Sequence, residues 1–184
     1  FYKNAMEKME REIELNSYDL LTSGQIGLLR AAETIKQKGK WGHGYDGYFT
    51  KQINDSIFGT MGEKAVAVFL DIPYKYHCNA WNDPDLVYKN YNIQVRTQYN
   101  RDNYFLIIRP KAKPNELYVH VYIPLKSFKP IFKISGFINS SDILKTEKHL
   151  TYAGHYDRDP FHKVPINILK SIDLLKPPEE NKKI

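Results

Sequence analysis

Alternating apolar and polar residues predict a β-hairpin in the middle of the chain. A short apolar run that begins at Leu86 is followed by a polar turn and by a second run that begins at Ile93. Since side chains alternate between the two faces of a strand, Gln94 and Arg96 are expected to share one face. Asp85 enters the first strand, so the hairpin can bring its carboxylate beside these two side chains. An acid, an amide oxygen and a cation on one sheet face suit metal-assisted attack on a phosphate.

Helical spacing of apolar residues predicts a set of helices before this hairpin. A narrow amphipathic stripe runs through 4–15, and a second helix is expected from about Ser23 or Gly24 to Lys38. A short helix is expected over 49–58, and a separate, largely buried helix over 60–70. The predicted buried side of the second helix consists of Ile26, Leu28, Leu29, Ala32 and Ile35.

Glu63 has two interpretations in this pattern. Thr60 and Glu63 have the spacing of a capping box ahead of an apolar run, in which the carboxylate closes the start of a helix. In the other interpretation the same carboxylate points toward the sheet edge as a functional group. From the residues alone, the capping interpretation is favoured.

Further strands and a short helix are predicted after the hairpin. Prolines and other turn residues separate the apolar runs, which is typical of an antiparallel or mixed sheet. Ser140 or Ser141 is the expected cap of the short helix. The predicted elements are strands at 104–109, 117–123 and 130–138, a helix at 141–145, a last strand with a turn or short helix at 164–175, and a charged end without regular structure at 177–184.

The composition is that of one globular domain with a basic surface. The chain has 184 residues with 42% hydrophobic and 26% charged residues, and its net charge is +6. A basic chain favours polyanionic partners such as nucleic acid, and no apolar run approaches the roughly 18 residues that cross a bilayer. Cys78 is the single cysteine, which excludes an internal disulfide and fits a reducing compartment. The chain begins at Phe1 without an initiator Met, so we expect a trimmed product or a fragment.

A glycine-rich segment at 41–48 predicts an irregular loop that carries aromatic residues. Its aromatic rings and the neighbouring lysines can grip a nucleic-acid strand. The alternative is a surface loop in which Trp41 and Tyr48 are tucked into the core. No Walker phosphate-binding pattern is present. The predicted nucleic-acid contacts are Lys40, Trp41, His43, Lys64, Lys89 and Arg101.

A series of short motifs occurs in a defined order along the chain. It consists of Gly62-Glu63-Lys64-Ala65, Asp85, Gln94-Val95-Arg96-Thr97, Phe132-Lys133-Ile134-Ser135-Gly136-Phe137-Ile138 and a closing Val164-Pro165 with Leu169. This order resembles the PD-(D/E)XK nuclease superfamily, and within it the small phage and prophage proteins with a (Glu/Gln)-Val-Arg motif. The resemblance covers roughly residues 60–175, and the first 58 residues lie outside it.

The resemblance implies an α/β (α+β) fold of the restriction-endonuclease-like type. Such a fold has a central mixed β-sheet flanked by helices, with its active site where two central strands diverge; here an extra N-terminal helical segment precedes it. We expect an N-terminal helical extension packed on the core at 1–58, a nuclease-like core at 59–176 and a flexible tail at 177–184.

The resemblance also implies roles for four residues. Asp85 would bind a divalent cation, Mg²⁺ or Mn²⁺, and Gln94 would contribute an amide oxygen where many relatives have a carboxylate. Glu63 would complete the metal shell from its helix, directly or through water. Arg96 stands where the family usually has a catalytic lysine. Because arginine effectively never loses its proton, it is expected to hold the scissile phosphate rather than act as a base.

The function expected from this resemblance is Mg²⁺-dependent hydrolysis of DNA phosphodiester bonds, in the cytoplasm of a bacterial cell or a phage-infected host. Nucleic acid is the expected partner, a membrane is not, and a homodimer is possible. One alternative is a nucleic-acid-binding protein that keeps the fold but has lost its chemistry, which Gln94 and Arg96 motivate. Another is a structural or partner-binding phage protein. From the residues alone, without the resemblance, a surface hairpin with ordinary polar residues is the favoured explanation of the motif.

Overall fold

The computed structural model describes a mixed α/β fold. The described residues are 10–36, 49–76, 83–99, 105–109, 112–124, 127–145, 150–151 and 161–176. The helices are α1 (Ser17–Lys36), α2 (Phe49–Leu70) and α3 (Ser140–Leu144), with short 3₁₀ turns at Ile166–Ile168 and Ile172–Leu175. The strands are β1 (Arg11–Glu14), β2 (Leu86–Tyr88), β3 (Tyr91–Gln98), β4 (Phe105–Ile108), β5 (Leu117–Tyr122), β6 (Ile131–Asn139), β7 (Leu150–Thr151) and β8 (Phe161–Pro165).

The central sheet is mixed, as the succession of strands predicted. Its order is β1-β6-β5-β3-β2, with β3 and β5 parallel and the other neighbours antiparallel. β5 can lie parallel to β3 because β4, the strand between them in sequence, is not part of this sheet. β4 instead pairs with β8 in a second sheet of order β4-β8-β7. The expectation of a mixed sheet with helices packed against it is therefore confirmed at this coarse level.

Both faces of β5 are covered, and the two faces differ in chemistry. Val119 and Val121 belong to the main core, which lies between the sheet and α2. Tyr118 faces the other way, into a second apolar cluster with Leu106 and Val164 from the small sheet. Because β3 runs parallel to β5 in register, the same alternation applies to both strands. The functional side chains predicted on β3 therefore lie on the face opposite α2.

The N-terminal segment corrects the helix predicted over 4–15. Residues Arg11–Glu14 form β1, which pairs antiparallel with β6 at the edge of the central sheet. Glu12 forms an ion pair with Lys133 on that neighbouring strand, and Leu15 is buried in the main core. A four-residue apolar–polar pattern fits a helix or a strand equally well, and pairing with β6 decides it. The first part of the predicted helix lies outside the described residues.

Helix α1 is longer than predicted and buries a different side. It begins at Ser17. The side-chain Oδ1 atom of the preceding residue, Asn16, accepts a hydrogen bond of 2.8 Å from the Asp19 amide. A Cβ added to Gly27 would lie 2.4 Å from the Cα of Ile57, so the backbones of α1 and α2 are in contact. Only small or polar side chains fit this contact. The buried residues are Asp19, Ser23, Gly27 and Ala31, whereas Leu28, Leu29 and Ile35, predicted to be buried, are exposed.

Helix α2 is one continuous helix rather than the two that were predicted. It runs from Phe49 to Leu70 and passes through position 58, where the boundary between an N-terminal extension and a core was predicted. That division stays a prediction. Among the described residues, no helix has the length and apolar character that a membrane span requires.

The elements after the hairpin agree with the predicted strands, with small shifts at their ends. α3 is the predicted short helix, but its N-cap is neither of the predicted serines, since the Oδ1 atom of Asn139 accepts the hydrogen bond from the Ser141 amide. A register shift between β5 and β6 leaves the backbone of Ser135 outside the residue-by-residue pairing of these two strands. The loop predicted at 41–48 lies outside the described residues.

Candidate active site

The predicted hairpin forms, and it places Asp85 beside the β3 strand. Leu86 pairs with Ile93, and Lys89 occupies the tight turn with a positive φ of 53°. The Oδ2 atom of Asp85 accepts a hydrogen bond of 2.7 Å from the amide of Val95. Since β2 begins only at Leu86, this carboxylate takes the place of a strand partner where β3 continues beyond β2 and is paired on its other side with β5. Within the described part of the chain, the other oxygen, Oδ1, accepts no hydrogen bond.

The Arg96 guanidinium contacts three polar groups of the hairpin. Its Nη1 atom donates to the carbonyl oxygen of Val95 at 2.9 Å and lies 3.5 Å from Oδ2 of Asp85. Its Nη2 atom donates to Oε1 of Gln94 at 3.2 Å. The ring of Tyr118 lies 5.3 Å from its Cζ atom, within the range of a cation–π contact. The structure thus brings together Asp85, Gln94 and Arg96, as the alternation of the hairpin predicted.

Glu63 lies in the interior of α2, so the predicted capping box is wrong. Thr60 is not at a helix start: its hydroxyl donates to the Ser23 carbonyl of α1 at 2.7 Å. The Glu63 carboxylate instead accepts two hydrogen bonds from the Arg30 guanidinium, one of 2.6 Å on Oε1 and one of 3.0 Å on Oε2. The hydroxyl of Tyr74 donates to Oε2 at 2.7 Å. Glu63 is therefore a buried, hydrogen-bonded anion that joins α1 to α2.

Close packing of α2 on β3 explains why a glycine precedes Glu63. A Cβ added to Gly62 would lie 1.9 Å from the hydroxyl oxygen of Thr97, far inside any real contact distance. The helix backbone therefore rests directly on the β3 strand. This approach carries Glu63 to the level of the hairpin, at the β2 edge of the central sheet.

The electrostatics of the site link Glu63 to Asp85. Burial and then the charge of Glu63 raise the pKa of Asp85 from its usual value to about 7, against the opposing effect of Arg96. Burial also raises the pKa of Tyr74, and the Glu63 carboxylate adds to the shift. Although burial alone would lower the pKa of Arg30, the charge of Glu63 raises it above its usual value. Two carboxylates and two guanidinium groups thus form one interacting cluster.

The donor set fits a hard divalent cation only in part. Asp85 and Gln94 each present an oxygen to the Arg96 guanidinium, one from a carboxylate and one from an amide, and these are ligand types that Mg²⁺ prefers. Both oxygens of Glu63, in contrast, are already held by Arg30 and Tyr74. Among the described residues, no group of three or more histidine, cysteine or acidic side chains is arranged to hold a metal. Asp85 and Gln94 therefore fit the direct ligands, and Glu63 acts on the site through its charge.

The predicted nucleic-acid contacts are scattered or lie outside the described residues. Lys64 forms a half-buried ion pair of 3.0 Å with Asp19, which ties α2 to α1. Lys89 donates to the carbonyl oxygen of Leu175 at 3.2 Å and lies over the ring of Tyr88. Both lysines thus have structural partners. Lys40, Trp41, His43 and Arg101 lie outside the described residues.

Sequence reasoning missed Arg30, Tyr74 and Tyr118 as members of the site. Arg30 falls on the same helix side as Gly27 and Ala31, and this row of small residues was the available signal for a buried helix contact. Tyr74 follows the end of α2, where no periodic pattern points to it. Tyr118 lies opposite Gln94 in the parallel pair of strands. That pairing depends on β4 leaving the sheet, which local patterns do not encode.

A second buried polar network lies farther along the same sheet face. Nδ1 of His120 lies 3.0 Å from the hydroxyl of Ser135, and its Nε2 lies 3.1 Å from Oε1 of Gln98. The Gln98 amide nitrogen donates to the Phe105 carbonyl, so Oε1 is the acceptor and Nε2 of His120 carries the proton. Burial lowers the pKa of His120 to about 4, so the ring is neutral at physiological pH.

Comparisons with protein-family models, with curated proteins and with solved structures find no match to this chain. The motif residues and their geometry are therefore the basis on which a function is proposed.

Proposed function

We propose that this protein is a nuclease-like hydrolase that cleaves DNA phosphodiester bonds with the help of Mg²⁺ or Mn²⁺. The observation that carries the proposal is the convergence of Asp85, Gln94 and Arg96 on one edge of the sheet, with Glu63 close enough to raise the pKa of Asp85. A carboxylate that is costly to ionise, beside an arginine and an amide oxygen, is typical of a catalytic site rather than a structural hairpin. The proposed fold is the restriction-endonuclease-like one.

In this proposal a carboxylate oxygen of Asp85 and Oε1 of Gln94 would hold the cation. The cation would neutralise charge on the phosphate and favour ionisation of the attacking water. The backbone amide of Val95 fixes the orientation of the Asp85 carboxylate. Arg96 is the phosphate-binding group, since its guanidinium can make two parallel hydrogen bonds to phosphate oxygens.

Glu63 and its partners are positioning residues in the proposed site. Arg30 and Tyr74 hold the Glu63 carboxylate as a fixed negative charge behind Asp85. A fixed negative charge increases the attraction of the site for a cation without itself ligating it. This assignment modifies the expectation that Glu63 completes the metal shell directly.

A second candidate function is nucleic-acid binding without turnover. It is favoured by the two short hydrogen bonds from Arg30 and Tyr74 that occupy the Glu63 carboxylate, which leaves fewer oxygens for a metal. It is also favoured by an arginine, which cannot act as a general base, at position 96. This candidate predicts salt-sensitive binding through phosphate contacts, with no metal-dependent cleavage.

One assay separates the two functions. Purified protein is incubated with double-stranded, single-stranded and branched DNA in the presence of Mg²⁺ or Mn²⁺, alongside the Asp85→Ala and Asp83→Ala variants. Asp83 is the matched control because it is an exposed acid two residues before Asp85. We expect cleavage by the wild type and by Asp83→Ala, and a loss of about 100-fold or more in Asp85→Ala.

Other outcomes of this assay decide against the nuclease. Equal cleavage by wild type and Asp85→Ala would show that the activity does not belong to this site. Binding in a low-salt mobility assay without cleavage would support the second candidate. The absence of both binding and cleavage would exclude both functions.

A further inference from the structure

Three oxygen atoms at the hairpin surround a positive charge that the chain itself supplies. The guanidinium group of Arg96 contacts the Val95 carbonyl at 2.9 Å, Oε1 of Gln94 at 3.2 Å and Oδ2 of Asp85 at 3.5 Å. A carbonyl, an amide and a carboxylate oxygen are the kinds of ligand that bind hard divalent cations. The arginine thus lies where a cation held by these oxygens would lie.

The contacts of Arg96 are loose enough to be exchanged. Its side chain is 40% exposed, and the distance of 3.5 Å to Asp85 is too long for a strong hydrogen bond. The ring of Tyr118 lies 5.3 Å from the Cζ atom of Arg96, within the range of a cation–π contact. An ion pair this long, with one partner substantially exposed, is a weak one. Rotation of Arg96 away from the oxygens therefore gives up one hydrogen bond of ordinary length, to the Val95 carbonyl, and two longer contacts.

The second arginine of the cluster behaves differently. Arg30 makes two short hydrogen bonds to Glu63, of 2.6 and 3.0 Å, and both side chains are mostly buried at 17% and 7% exposure. Removing one partner of such a pair leaves an uncompensated buried charge, which is strongly unfavourable. Arg30 is therefore a fixed counter-ion, and Arg96 is the exchangeable one.

We propose that Arg96 is an internal cation that competes with a divalent metal for Asp85, Gln94 and the Val95 carbonyl, and that a phosphodiester anion draws it away. The inference rests on the metal site of the proposed function and adds its regulation. Arg96 changes partner from these oxygens to the phosphate, which frees the oxygens at the moment when the anion arrives. Metal and phosphate consequently bind with positive coupling, and this coupling is reciprocal.

The test measures binding of Mn²⁺ to the full chain by the electron paramagnetic resonance signal of the free ion. Titrations are made with and without dimethyl phosphate, the smallest phosphodiester anion, on wild type, Arg96→Leu and Arg11→Leu. Arg11 is the control for lost positive charge, because it is an exposed arginine paired with Asp173 on the surface. We expect Arg96→Leu to bind Mn²⁺ about 10-fold more tightly than the wild type without the anion, within the range of measured couplings.

The anion gives a second, independent readout. Dimethyl phosphate should tighten Mn²⁺ binding to the wild type and to Arg11→Leu, and should leave Arg96→Leu unchanged. Equal or weaker Mn²⁺ binding by Arg96→Leu, an equal gain in Arg11→Leu, or no detectable binding to any protein would overturn the inference. If Arg96→Leu does not fold, the wild type decides alone, because the absence of tightening by dimethyl phosphate overturns the coupling.

Failure of this inference can be distinguished from failure of the proposed function. DNA cleavage that depends on Asp85, together with Mn²⁺ binding that does not depend on Arg96, would retain the nuclease and reject the competition. Coupled binding of Mn²⁺ and dimethyl phosphate without cleavage would retain the competition and reject the hydrolase.

Discussion

At the scale of single residues, Asp85 has an environment that disfavours its own charge. Burial and the neighbouring Glu63 carboxylate raise its pKa to about 7, and Arg96 compensates only in part. The ionised carboxylate therefore lowers the stability of the folded protein around neutral pH. The carboxylate also accepts a hydrogen bond from the Val95 amide and lies 3.5 Å from Arg96, an arrangement consistent with the catalytic role proposed for it.

Replacing Asp85 with asparagine should make the protein more stable at high pH. The folded-state pKa is above the unfolded value, so the penalty of ionisation is complete above about pH 7 and disappears as the pH falls below about 4. At pH 8, in the presence of a chelator, Asp85→Asn should raise the free energy of unfolding by about 4 kcal/mol. Urea unfolding monitored by circular dichroism measures this difference.

The control for this prediction is Asp83→Asn, an exposed change of the same chemistry close by. Because Asp83 is exposed, its replacement should leave the free energy of unfolding at pH 8 within about 0.5 kcal/mol of the wild type. The advantage of Asp85→Asn should vanish at about pH 3, below both pKa values, where the wild-type carboxyl is protonated in both states. A destabilised Asp85→Asn at pH 8 would contradict the assignment of an unfavourable buried charge.

His120 should titrate far below an ordinary histidine. Burial lowers its pKa to about 4, so between pH 6.5 and 4 the unfolded state takes up a proton that the folded state does not. This residue should therefore lower the free energy of unfolding by roughly 3 kcal/mol as the pH falls through that window. Nuclear magnetic resonance of the ring should show a neutral, Nε2-protonated form with a midpoint near pH 4.

The same histidine in the urea-unfolded protein is the reference for this prediction and should titrate near its usual value of about 6.5. A midpoint near 6.5 in the folded protein, or a proton on Nδ1, would contradict the proposed roles of Ser135 and Gln98 as donor and acceptor.

At the scale of elements, the contact of α2 with β3 decides where Glu63 lies. Gly62 permits this contact, since a Cβ at that position would overlap the hydroxyl of Thr97. Gly59 lies one turn earlier on the same helix, and a Cβ added there meets nothing within 4 Å. The two glycines provide a matched pair in which only one has a packing role.

Gly62→Ala should destabilise the protein and Gly59→Ala should not. A methyl group at 62 would force α2 away from β3, at a cost of about 1–3 kcal/mol. At 59 alanine is expected to stabilise the helix by about 0.5–1 kcal/mol, since glycine loses more backbone entropy on folding. Thermal or urea unfolding of the two variants measures both effects. Equal stability of the two variants would show that α2 does not rest on β3 as closely as described.

Elements with one strong local signal were the ones that could be predicted. The β2–β3 hairpin follows from its alternation and its polar turn, and with it the grouping of Asp85 with Gln94 and Arg96. The buried side of α1 could not be read in the same way. Its apolar residues point outward because the contact with α2 selects for small size at positions such as Gly27, not for hydrophobicity.

At the scale of the whole molecule, the parts that sequence reasoning missed are those made by distant segments. β1 becomes a strand only because β6 offers it an edge, and β5 becomes the parallel neighbour of β3 only because β4 pairs elsewhere. The Arg30–Glu63 ion pair joins residues 33 positions apart in sequence. Such pairings depend on the free energy of the whole fold, which a local pattern does not contain.

The N-terminal segment should therefore be required for folding of the candidate site. A chain of residues 59–176 would lack β1, α1 and the first half of α2, and with them the Arg30 partner of Glu63 and the backbone contact at Gly27. It would also leave the β6 edge and the buried Glu63 carboxylate uncovered. We expect this chain to show no cooperative unfolding and a poorly dispersed amide spectrum, whereas residues 10–176 fold like the full chain.

The truncation also bears on how the molecule is divided. If residues 59–176 fold cooperatively and give dispersed amide signals, the N-terminal residues are an extension packed on an independent core, and Arg30 is dispensable for the position of Glu63. If only the longer chain folds, α1 belongs to the same folding unit as the hairpin, because a buried carboxylate that has lost its guanidinium partner costs several kcal/mol, a large fraction of a domain's total stability. The buried Arg30–Glu63 pair makes the second outcome the expected one.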